Sequence, residues 1–232
     1  MSTALDTARR RAPDERPHQI LEAALAVFGE HGLVGARLDD IARRAGIAKG
    51  TIYLYFPNKE ALFREVVRQT VVARIDQLAH VLDADPGASA AAQLDACMAQ
   101  WWRYVHAESF RVVYRLVESE LHRFPDLVEF YAREVLLRGN RLLGGVIARG
   151  VARGEFRPVE PYAAARMLSA LFIKHVLWVG GPYQRLMPTL DGLTPDDVFE
   201  QLRDFAFHAL RPVPDVPIPG PPRPSSPSAS HA

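Results

Sequence analysis

Seven positions in the run 49–59 carry side chains suited to gripping a polyanion: Lys49, Gly50, Thr51, Tyr53, Leu54, Tyr55 and Lys59. The chemistry they offer is recognition rather than bond-making. An ammonium at Lys49 brings charge to a phosphate or a guanine edge, and the hydroxyls of Thr51, Tyr53 and Tyr55 can donate to phosphate oxygens. Gly50 lets a backbone come close, and Leu54 suits a thymine methyl. Lys59 stands where it would clamp a flanking phosphate, with Arg37 and Arg44 as further cations just upstream.

A second set lies further along the chain. Glu118 and His122 are spaced i, i+4, which puts them on one face of a helix, and His175 could complete a three-ligand set. The same spacing also makes an ordinary helix-surface ion pair. No other metal spacing occurs, and no metal or other cofactor is expected. The chain has no P-loop, G-x-S-x-G, H-E-x-x-H or dinucleotide glycine pattern, so no enzyme chemistry is indicated. The single cysteine, Cys97, excludes an intramolecular disulfide and shares an apolar stripe with Leu94, Met98 and Trp101.

The first set needs elements to hold it. Leu38, Ile41, Ala42 and Ala45 fall at i, i+3, i+4, i+7, one face of a short helix. Gly46 interrupts, and a second short helix runs from about Ala48 to Phe56, stopped by Pro57. Two short helices across a glycine turn outline a helix-turn-helix, whose second helix enters a major groove. An ordinary helical corner would show the same spacing. Charge does not decide between them: residues 1–60 hold nine Lys/Arg against eight Asp/Glu.

The residues say more than their spacing. The run IARRAGIAKGTIYLYFPNKEALF resembles the DNA-binding domain of TetR-family transcription regulators. That family's pattern is matched at Ile41, Ala42, Ala45, Gly46, Ile47, Gly50, Tyr53, Tyr55, Phe56, Lys59 and Leu62. The resemblance extends over about 17–62. Two departures concern helix caps: Arg37 stands where the family often has Ser or Thr, and Ala48 where it has Ser. Asp39 and Asp40 partly compensate through the helix dipole.

Around this core we expect a flexible basic arm over 1–15 and a helix-turn-helix domain over 16–62. A helical effector-binding and dimerisation domain over 63–211 and a disordered Pro/Ser-rich tail over 212–232 follow. The tail holds eight of the eighteen prolines. The first helix spans about 17–31 and ends at Gly32. A long helix without interior Pro or Gly runs from Lys59 to about Leu82. Further helices are expected at about 89–106, 108–123, 125–153, 160–179 and 195–211, with no strand.

The helix at 160–179 is apolar on two sides and the last one opens with a strong start signal, Thr194-Pro195-Asp196-Asp197. Met167, Leu171, Trp178, Leu202 and Phe205 are candidates for a homodimer surface, although both helices could pack within one chain. The aromatics of the body make either core or pocket. If pocket, Trp101, Tyr104, Tyr114, Glu118, His122, Tyr131, Phe172 and His175 would face the effector.

The fold class expected is all-α. The resemblance implies a regulator, in most cases a repressor, that binds a double-stranded palindromic operator as a homodimer and is released by a small hydrophobic effector. A helical small-molecule-binding protein without operator function is the alternative. No membrane span is present in the sequence pattern and a cytoplasmic location is expected.

Overall fold

The computed structural model describes residues 16–179 and 184–212, and these form helices only. The expected arm and nearly all of the expected tail lie outside the described residues. The first helix, α1 (Arg16–Gly35), breaks at Gly32, whose φ of 70° takes the chain out of the helix where a side chain would be strained. Ile20, Ala24, Val27 and Phe28 line its buried face. Next come α2 (Leu38–Arg44) and α3 (Lys49–Tyr55), separated by a turn with Gly46 at φ 68°. Neither short helix has a side-chain cap, as the residues Arg37 and Ala48 led us to expect.

Asn58 caps α4 (Lys59–Val67), its carboxamide oxygen accepting from the Ala61 N–H at 2.7 Å. Phe63 of α4 meets Phe28 of α1 edge to face, ring centres 5.9 Å apart, and closes the small head. The helix does not continue regularly to Leu82. A π turn over Arg68–Val72 intervenes before α5 (Ala73–Ala84).

The body follows with α6 (Ala90–Val105), capped by Ser89, and α7 (Glu108–Ser119). A second correction concerns α7: it stops at Ser119, and Leu121–Arg123 form a tight 3-10 turn instead of a last helical turn. The expected long helix to Arg153 is α8 (Pro125–Tyr131), a π turn (Ala132–Leu137) and α9 (Arg138–Ala152). The two π turns pack against each other.

The helix α10 (Pro161–Trp178) makes its most extensive contact with α9. Gly144 allows this approach, since a Cβ there would run into the Tyr162 ring, and Gly150 makes room for Phe156 of the connection between the two helices. Last comes α11 (Pro195–Leu210), which opens with a reciprocal capping box between Thr194 and Asp197 and packs on α6 and α10.

Candidate nucleic-acid interface and effector region

Recognition requires a helix that is anchored by few side chains and shows the rest. In α3 only Ile52 is buried. Lys49, Gly50, Tyr53, Leu54 and Tyr55 are exposed and Thr51 is half-buried. Leu54 is 85% exposed. An apolar side chain so placed gains nothing from its own chain and is available to a thymine methyl. Of the seven positions singled out along 49–59, six lie on α3 around its one anchor Ile52, and Lys59 is half-buried at the start of the next helix.

The cations on this face have partners within the chain. Lys49 Nζ donates to Asp39 Oδ2 at 2.7 Å, and the Tyr53 hydroxyl donates to Asp39 Oδ1 at 3.3 Å. The Lys49 hydrogen bond holds the Asp39 carboxyl below its ordinary range, and Asp39 in turn raises the Lys49 ammonium. Arg44 Nη1 donates to both carboxylate oxygens of Glu30, at 2.7 and 2.9 Å, which ties α2 to α1. Lys59 Nζ donates to the carbonyls of Val34 at 2.7 Å and Ala36 at 3.3 Å. A lysine has three donors, so one remains for a phosphate. Arg37 is exposed beside Asp39. Asp39 is thus more than a partner of the helix dipole. Its hold on Lys49, ten residues on, depends on the angle between α2 and α3 and has no local signal.

The body divides the expected effector residues into two aromatic groups. Trp101, Tyr104, Phe110 and Tyr114 form one, with Phe110 stacked on Tyr114 at 5.7 Å and set edge-on to Tyr104 at 5.2 Å. Burial pushes the Tyr114 hydroxyl up to about 12, helped by the negative charge of the nearby Glu118. It also raises the Tyr131 and Tyr104 hydroxyls. The Tyr104 hydroxyl is buried without a well-formed hydrogen bond. Thr70 lies beside it, but its own hydroxyl donates to the Val66 carbonyl at 2.6 Å.

Phe172 belongs to the other group, edge-on to Trp102 at 6.0 Å, with Phe199 5.8 Å from Trp102. Phe199 carries no signal of this role in the sequence, since only the packing of α11 on α6 brings it to Trp102.

Glu118 and His122 do not share a helix face. The end of α7 at Ser119 places His122 in the 3-10 turn, and both residues are exposed. His175 sits on α10, its Nδ1 donating to the Leu171 carbonyl at 2.8 Å. Among the described residues, no group of three or more His, Cys, Asp or Glu side chains could hold a metal ion.

Two surface clefts, of about 420 and 270 Å³, lie elsewhere. The larger runs between the start of α4 and the 123–127 segment, lined by Arg64, Arg123 and Phe124 among others.

Of the expected dimer residues, Met167 and Phe205 are each 60% exposed on α10 and α11. Leu171 and Trp178 are half-buried against the chain's own core. Leu202 is buried within its own chain, because α11 turns that side inward, and it is removed from the candidate surface.

Comparison with known proteins places both parts of the chain. Residues 20–66 match the family described as bacterial regulatory proteins, tetR family. Residues 92–180 match the C-terminal domain of AefR-like transcriptional repressors. The chain is 30% identical over 151 residues to the HTH-type transcriptional repressor KstR2 of Mycolicibacterium smegmatis, covering 63% of this chain and 70% of that protein. The transcriptional regulator FadR from Bacillus subtilis, solved in complex with stearoyl-CoA, superposes with a TM-score of 0.65 at 21% identity, covering 84% of this chain and 99% of that one. A transcriptional regulator from Saccharomonospora viridis, solved in complex with choline, gives 0.68 at 24% identity, covering 85% and 98%. No helix among the described residues is long and apolar enough to cross a membrane.

Proposed function

Because the chain belongs to the TetR family of DNA-binding transcription regulators, we propose that it represses transcription as a homodimer on a palindromic operator and leaves it on binding a small hydrophobic effector. Regulators of this family are not enzymes, which agrees with the lack of any catalytic motif. The observation that carries the operator reading is α3: one buried residue, and a face of Lys49, Gly50, Thr51, Tyr53, Leu54 and Tyr55 turned outward. One such helix reads only a few base pairs, so two copies on two half-sites are needed for selectivity.

The dimer reading is supported by Met167 and Phe205, large apolar side chains left uncovered on adjacent helices. The effector reading is supported by the packed aromatic group Trp101, Tyr104, Phe110 and Tyr114, which holds the buried Tyr104 hydroxyl without a well-formed hydrogen bond. The two structural relatives were solved with stearoyl-CoA and with choline, molecules of unlike size and charge, so the shared fold does not choose the ligand.

Footprinting on the DNA flanking the protein's own gene, at stated and varied salt, tests the proposal. A protected palindrome is the expected result. No protection, and no duplex enriched from random DNA, would sink it.

A further inference from the structure

The last turn of α1, beyond the break at Gly32, and Ala36 just after it are gripped from two sides by hydrogen bonds. Lys59 of α4 takes the carbonyls of Val34 and Ala36. From the body, Glu120 Oε2 accepts the Val34 N–H at 2.7 Å. Gly32 makes room for this carboxylate, since a Cβ there would run into it. The Val34 side chain is itself exposed while Leu33 and Ala36 beside it are buried, so the carboxylate adds a directed polar contact to the apolar packing of this joint.

Glu120 is in turn held by the end of α7. Its N–H donates to the Leu116 carbonyl at 2.9 Å and its own carbonyl accepts from Arg123 at 3.0 Å. Further back along α1, a Cβ on Gly29 would lie 3.4 Å from Val112 of α7, so the two helices also pack closely there. One helix thus carries Phe110 and Tyr114 into the aromatic group and, at its end, holds the head through a charged acceptor. A hydrogen bond to a carboxylate is among the stronger ones and fixes direction as well as distance.

We propose that Glu120 is a positioning residue for DNA recognition, setting the angle of the reading head against the body by accepting the Val34 N–H. This rests on the dimeric operator reading above. In a two-fold dimer that angle sets the separation of the two α3 helices. The register between half-sites is therefore the quantity Glu120 controls, while contacts within each half-site belong to α3.

The test uses a duplex enriched from random DNA by the wild-type chain, the same duplex with one base pair inserted between half-sites, and an unrelated duplex. The insertion moves one half-site by about 3.4 Å and about a tenth of a turn. It should weaken wild-type binding about tenfold or more. In Glu120→Ala the insertion penalty should fall to about threefold or less, with affinity for the unrelated duplex unchanged and the thermal midpoint lowered by only a few degrees. Glu120→Gln should keep the wild-type penalty, because its carboxamide oxygen accepts the same N–H. Amide exchange at Val34 should quicken in the alanine variant alone.

An unchanged penalty in Glu120→Ala, or a glutamine variant that behaves like alanine, overturns the proposal. If the wild-type chain shows no insertion penalty, the two-half-site reading is what fails. Exchange at Val34 then decides the contact: equal protection in wild type and Glu120→Ala overturns it, and loss restored by glutamine upholds the docking of the head.

Discussion

At the scale of residues, the face proposed to meet DNA carries its own competitor. Asp39 occupies the Lys49 ammonium and the Tyr53 hydroxyl, two groups that a phosphate would use. Replacing it in Asp39→Asn removes a negative charge facing the duplex and frees Lys49. Affinity for unrelated DNA should rise severalfold at low salt, and the slope of log K against log salt should steepen by about one. Lys49→Ala should move both quantities the other way. Titrations of a labelled duplex at four salt concentrations would measure both, and an unchanged slope in either variant would remove Lys49 from the phosphate contacts. Cys97 gives a prediction of the opposite kind. Burial pushes its thiol up to about 12, so almost no thiolate exists in the folded chain at pH 8. Alkylation by iodoacetamide should be slow in buffer and should become fast only in denaturant.

At the scale of elements, the last helix is the best-marked and the most easily tested. Thr194 Oγ1 accepts from the Asp197 N–H at 3.2 Å, and Asp197 Oδ2 accepts from the Thr194 N–H at 2.8 Å. Thr194→Ala should cost about 1 kcal/mol, read as a fall of about 2–4 °C in the thermal midpoint. The hydrogen bonds from Thr194 hold the Asp197 carboxyl below its ordinary value. Its contribution is therefore present above the unfolded value of 3.8 and is lost as the pH falls through the lower folded one.

The start of this helix was legible in the sequence because its cap, proline and acids lie within four residues, whereas the return bond from Asp197 to the Thr194 N–H is a finding of the structure. The helix-turn-helix was legible for the same reason: its apolar spacing, its glycine turn and Pro57 are local signals. The π turns were not, since a single extra residue leaves the apolar stripes around Val66 and Ile75 nearly unchanged. Nor was the end of α7. Glu120 leaves the helix at φ −129° with its carboxylate bound to Val34, a contact 86 residues away that no local pattern announces. That early end is what undid the Glu118–His122 spacing.

At the scale of the whole molecule, the uncovered Met167 and Phe205 set the assembly to be expected. Replacing both with Glu should raise the dimer dissociation constant about a hundredfold or more, because charged side chains would be desolvated in the interface. Sedimentation over a concentration series would show it, and operator affinity should fall with it while the helical content stays. A double variant that sediments like wild type would move the interface away from α10 and α11.

The same molecule also has an order in which its parts must be assembled. The α9–α10 pair, with Gly144 under Tyr162 and Gly150 under Phe156, joins two helices across a short connection. The tie between Glu120 and Val34 must close a span of 86 residues before it contributes anything. Loop-closure entropy rewards the first and delays the second. In refolding, α9 and α10 should therefore acquire protection early and the Val34 amide late. On that order, the end of the chain proposed to grip DNA would be the part fastened last.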